Sequence, residues 1–168
     1  MKNAKDMSFV KQTNYSEIWG YIRKHKQTTI PQISKAVGLS LPTVTRAVDY
    51  GVEKGILNTC EIIGGERGRK AQSYSTASDY MHFLLIAVDS KKLSYQIRDF
   101  NNCIKEENCL PVNNDNIIDI IEDTSTGCTD KDKRISIIAI SLTGVIYDGE
   151  IRASFNYPSL ANSDLKTK

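Results

Sequence analysis

Metal-binding spacing is the first thing this sequence lacks. Its four cysteines, Cys60, Cys103, Cys109 and Cys128, include no close pair such as Cys-x-x-Cys, and its two histidines, His25 and His82, stand alone. Zinc needs several such ligands gathered around one point, so no metal is expected. No basic segment leads into an apolar run and a cleavage site at the amino terminus, and no stretch is long and apolar enough to cross a bilayer. The expectation is a cytoplasmic protein without a membrane partner, its cysteines reduced and serving as small hydrophobes. Hydrophobic residues make up 40% of the 168 and charged residues 25%, as in an ordinary globular chain with room for one large domain or two small ones.

A net charge of +2 hides an asymmetry. Residues 1–76 hold 12 basic and 6 acidic groups, whereas residues 77–168 hold 10 and 14. A basic front and an acidic back imply a polyanionic partner for the front only.

Residues 1–13 are polar and read as an irregular lead-in. Tyr15, Ile18, Trp19 and Ile22 then fall on one stripe of an amphipathic helix that runs to about His25 and ends in cationic residues. Trp19 lies on that stripe and reads as core, not as a platform for a base. A second helix is predicted to open at Thr29, which can cap it, with Pro31 in its first turn, and to stop at Gly38. Ser40 caps a third helix with Pro42 in its first turn; Val44, Ala47, Val48 and Val52 point to the core, and Gly55 closes it. Two apolar-anchored helices with a glycine turn between them have the spacing of a helix-turn-helix. Strand-like residues 56–63, a glycine-rich basic tip and strand-like residues 71–76 follow, which is the pattern of a wing.

A helix whose leading turns enter the major groove sets its cap amides against phosphate and its side chains against base edges. Ser40, Pro42, Thr43, Thr45 and Arg46 occupy those turns, with Arg46 the candidate for a base contact and Asp49 and Tyr50 one turn further on. Arg67, Arg69 and Lys70 at the tip suit phosphate or a narrow minor groove, where they position more than they specify. Each feature has a plainer reading: a basic tip as a solvated turn, Arg46 as an ordinary surface residue, Tyr50 as packing against a following domain. Helices, wing and local positive charge occurring together select double-stranded DNA as the partner.

Residues 14–76 resemble the DNA-binding domain of ROK-family repressors, sugar-responsive regulators related to bacterial sugar kinases. The resemblance rests on Ile33-Ser34-Lys35-Ala36-Val37-Gly38-Leu39-Ser40, on Pro42-Thr43-Val44-Thr45-Arg46-Ala47-Val48, on Gly55-Ile56-Leu57 and on Gly68-Arg69. The family usually continues that last pair with proline, where Lys70 stands here. Residues 82–160 resemble, more weakly, the first lobe of the family's actin-like, ribonuclease H-like fold. Strands are expected at 83–89, 93–100 and 103–112, a helix near 116–122, and a strand with a glycine turn over 135–146 that runs into Tyr147-Asp148-Gly149-Glu150-Ile151.

The implied fold class is α+β, a winged helix-turn-helix followed by a partial α/β lobe. The implied function is a DNA-binding regulator, a homodimer on a roughly palindromic operator, repressing carbohydrate-related genes. Two alternatives are a carbohydrate kinase with an appended DNA-binding domain and a winged helix that binds another protein. Against the kinase, Asp89-Ser90-Lys91-Lys92 has none of the glycines of the family's phosphate-binding turn. The family's sugar-binding, catalytic and zinc-binding segments are expected beyond Lys168, which argues against a sugar effector. The expectation is therefore a non-enzyme without a cofactor.

Overall fold

The computed structural model describes residues 4–61, 72–148 and 150–161, the side chains of 4–11 excepted. The chain divides into two compact units, Met1–Tyr80 and Met81–Lys168.

The first unit holds helices α1 (Ala4–His25), α2 (Ile30–Val37) and α3 (Leu41–Glu53), then antiparallel strands β1 (Leu57–Glu61) and β2 (Gln72–Thr76). α1 starts well before the predicted Tyr15. No glycine or proline interrupts residues 1–19, and a helix once nucleated extends cheaply through polar residues. Ile18 and Ile22 of its stripe are fully buried with Ile33, Val44, Ala47 and Val48, while Val52 is only half-buried. Thr29 is the N-cap of α2, as predicted, in a capping box with Gln32, whose side-chain oxygen accepts from the Thr29 amide at 2.9 Å and from its hydroxyl at 3.0 Å. Gly38 ends the helix at φ +69°, a left-handed conformation, with its N–H donating to the Ser34 carbonyl.

β2 is tied back to the helices. Thr28 and Tyr74 exchange backbone hydrogen bonds at 3.0 and 2.8 Å, and Gln27 donates to the Ser73 hydroxyl. The base of the hairpin is thus fixed against the segment that joins α1 to α2.

In the second unit β3 (His82–Val88), β4 (Lys92–Asp99), β5 (Ile104–Pro111) and β6 (Ile135–Ser141) form a mixed sheet in the order β5-β4-β3-β6. β3 is antiparallel to β4 and parallel to β6, with α4 (Ile117–Lys131) as the crossover. Leu84, Ile86, Val88, Leu93, Tyr95 and Ile97 alternate onto one face, where they meet Ile117, Ile121 and Cys128 of α4. α4 runs nine residues past the predicted Glu122. Its second half, rich in Ser, Thr and Gly, is a poor helix former, but Ile117, Ile121, Thr124 and Cys128 share a buried face and tertiary packing overrides propensity.

Of the strand and glycine turn expected over 135–146, the strand is β6, which ends at Ser141, and from Gly144 the chain enters β7 (Gly144–Tyr147), which pairs with β8 (Glu150–Ser154). Gly144 is required there, since a Cβ would lie 2.4 Å from the Ala153 carbonyl. The cysteines are not uniformly small hydrophobes as expected: Cys128 is buried, Cys60 half-buried, and Cys103 and Cys109 exposed.

Candidate nucleic-acid interface

α3 is two-sided. Val44, Ala47 and Val48 anchor it in the core of the first unit, and that burial fixes the opposite face outward. Ser40, Pro42 and Arg46 are exposed at its leading turns, as the sequence predicts. Thr43 and Thr45 are half-buried, a correction to their expected exposure. Both hydroxyls bond locally, Thr43 with the Ser40 hydroxyl at 2.9 Å and Thr45 as donor to the Leu41 carbonyl at 2.9 Å. They stiffen the first turn, and only their outer edges remain available to a partner.

Leu41, which sequence reasoning does not single out, is 52% exposed at the first helical position. Its signal is an apolar residue directly after the cap and off the buried stripe. Asp49 and Tyr50 are exposed one turn further along, as expected. Tyr50 packs within its own unit, 5.5 Å between ring centroids from Tyr15 and stacked on Trp19. Trp19 is half-buried in that cluster. Asp49 lies close enough to Tyr74 to add its charge to the burial that raises that phenol's pKa. Arg67, Arg69 and Lys70 lie outside the described residues.

No family model and no curated protein matches the sequence. Among solved structures, a ROK family transcriptional regulator, a homolog of the E. coli MLC protein, matches 90% of this chain with a TM-score of 0.67 at 15% identity. The chain has the fold of that regulator. It spans 42% of the regulator's own length. A candidate N-acetylmannosamine kinase from Listeria monocytogenes aligns over 51% of this chain and 30% of its own, with a TM-score of 0.45 at 16% identity.

Within this regulator-like fold, the turn after β3 is closed on itself. The Asp89 amide donates to the Lys92 carbonyl at 2.9 Å, the Asp89 carboxylate accepts from the Ser90 amide at 2.7 Å, and the buried Tyr157 hydroxyl donates to the Asp89 carbonyl at 2.6 Å. Asp89 is a turn residue, as its sequence context implies. Among the described residues no group of three or more His, Cys, Asp or Glu side chains is placed to hold a metal ion, and no helix is long and apolar enough to cross a membrane.

Proposed function

We propose that this chain is a ROK-type transcriptional regulator. Residues 14–76 form a winged helix-turn-helix that docks on duplex DNA, and residues 82–160 form a partial actin-like lobe. The observation that carries the reading is the two-sidedness of α3: a fully buried apolar stripe opposite a leading end that holds out Ser40, Leu41, Pro42 and Arg46. Such a helix can enter a major groove without disturbing its own core.

Each residue then has a role. Arg46 reaches a guanine edge, where a guanidinium can donate two parallel hydrogen bonds. Leu41 offers apolar contact to a thymine methyl, while Ser40 and the cap amides meet phosphate. Pro42 shapes the leading turn, and Thr43 and Thr45 hold it. Arg67, Arg69 and Lys70 neutralise flanking phosphates. The protein works in the cytoplasm as a homodimer on a two-fold operator, repressing carbohydrate-related genes, and its role is regulatory, not catalytic. The turn at Asp89 supports that last point, because it offers no glycine-lined cradle for nucleotide phosphates.

Gel retardation against genomic fragments at rising salt tests the proposal. Preferential retention of particular fragments is expected, with affinity falling steeply as salt displaces the phosphate contacts. Retention without fragment preference, or none at low salt, would sink it.

A further inference from the structure

The outward face of α3 changes sign along its length. Pro42, Arg46, Asp49 and Glu53 follow one another at i, i+4, i+7 and i+11, so they share one stripe, opposite the buried Val44, Ala47, Val48 and Gly51. All four are exposed. The stripe is therefore cationic where the helix leads and anionic further back. Glu53 has Lys54 beside it, with 3.5 Å between carboxylate and ammonium. Asp49 differs: among the described residues no ion pair or hydrogen bond engages its carboxylate. Its charge is felt at the Tyr74 phenol, so it lies near the base of the hairpin as well as on the stripe.

Against a polyanion, such a carboxylate is repelled unless a donor stands opposite it. An ionised carboxylate only accepts hydrogen bonds. On the floor of a major groove the donors are the exocyclic amines of cytosine and adenine. Adenine sets its N7 acceptor beside that amine, where it opposes the second carboxylate oxygen, whereas cytosine brings no acceptor of its own. Cytosine thus offers what an aspartate needs. Three helical residues advance the chain by about 4.5 Å, close to the spacing of about 3.4 Å between stacked base pairs. A helix that sets Arg46 on one base pair brings Asp49 to the next.

We infer that Asp49 is a specificity-determining residue: it accepts from the exocyclic amine of a cytosine in the base pair next to the one that Arg46 contacts, and it repels DNA that lacks a donor there. The inference rests on the regulator reading above and extends it. Arg46 supplies attraction, and Asp49 subtracts from binding to the wrong sequences, which widens the gap between operator and bulk DNA. The two share one docking, because a helix that turned Arg46 to the phosphate backbone would turn Asp49 there too.

The test is selection from a randomised duplex library with the full chain, run in parallel for wild type, Arg46→Ala, Asp49→Ala and Asp49→Asn. Wild type should enrich a cytosine adjoining the position whose preference Arg46→Ala abolishes. Asp49→Ala should lose that cytosine alone, with a drop of about tenfold in discrimination there. In anisotropy titrations it should bind a scrambled duplex about threefold more tightly at low salt, a gain that shrinks as salt screens the charge. Asp49→Asn should change the preferred base to adenine, which an amide matches with one donor and one acceptor. An aspartate with a purely structural role would not produce that change. Because Asp49 is exposed, neither substitution should alter the fold, which far-UV circular dichroism checks. Unchanged preference in both variants, or weaker binding to every duplex alike, overturns the inference and leaves the regulator reading in place. A wild type that retains no duplex overturns both.

Discussion

Trp19 and Tyr50 stack with ring planes 4° apart and centroids separated by 6.1 Å. The Trp19 indole N–H also donates to the Ala47 carbonyl at 3.2 Å. One side chain of α1 thus grips successive turns of α3, the helix that carries Arg46. Because Trp19 is the only tryptophan in the sequence, its fluorescence reports on the first unit alone. Trp19→Ala should destabilise that unit by about 3 kcal/mol, near the low end for large aromatic truncations because the ring is only half-buried. Urea titration followed by far-UV circular dichroism measures it, and a loss under about 0.5 kcal/mol would show that the stack carries no weight.

Gly38 stands at φ +69° with no atom within 4 Å of where a Cβ would be. Space is therefore not the issue, and conformation is. Gly38→Ala should cost about 1 kcal/mol through left-handed backbone strain, and Gly38→Asn less, since asparagine tolerates that region better. Equal thermal midpoints for the alanine and asparagine variants would contradict this account.

These two sites also show what was legible in the sequence. The α2 and α3 boundaries could be read because short-range signals agree: Thr29 and Ser40 as caps, Pro31 and Pro42 in first turns, Gly38 as the stop. The central strands were legible through the family resemblance of residues 83–89 and not through alternation: Phe83 to Val88 is apolar throughout, and a period of two appears only in the burial, with Leu84, Ile86 and Val88 inward. The second half of α4 was not legible, because Thr124 and Cys128 are helical through what they pack against and not through what they are. The half-burial of Thr43 and Thr45 was hidden for a related reason. Spacing tells which side of a helix a residue is on, but not whether its hydroxyl turns back onto its own backbone.

Asp132 gives the second unit a pH dependence. Burial would raise its carboxyl, but hydrogen bonds from Arg134 and His82 outweigh that and bring it down to about 2 from 3.8. His82 is fully buried at the start of β3, so this carboxylate fastens the end of the crossover helix to the central strand. A depressed carboxyl stabilises the fold fully above its unfolded pKa, and that contribution is lost as pH falls from about 4 through about 2. The loss should amount to about 2 kcal/mol. Urea midpoints measured between pH 5 and pH 2 should fall more for wild type than for Asp132→Asn, and parallel curves would remove Asp132 as the cause.

Arg46 and the tip residues should fail in different ways. Arg46 is exposed, so Arg46→Ala should leave stability within about 0.5 kcal/mol of wild type. If its guanidinium reads a base, the variant should lose about 1–3 kcal/mol on the preferred operator and little on unrelated DNA, so that discrimination collapses. Arg67→Ala, Arg69→Ala and Lys70→Ala should weaken binding to all sequences alike, each lowering the slope of log affinity against log salt by about 1. The two signatures are separable in one experiment: fluorescence anisotropy on operator and scrambled duplexes across a salt series. An Arg46→Ala variant that loses affinity equally on both duplexes would move Arg46 from the base edge to the phosphate backbone. The preference among sequences would then have to come from Leu41 and the outer edges of Thr43 and Thr45.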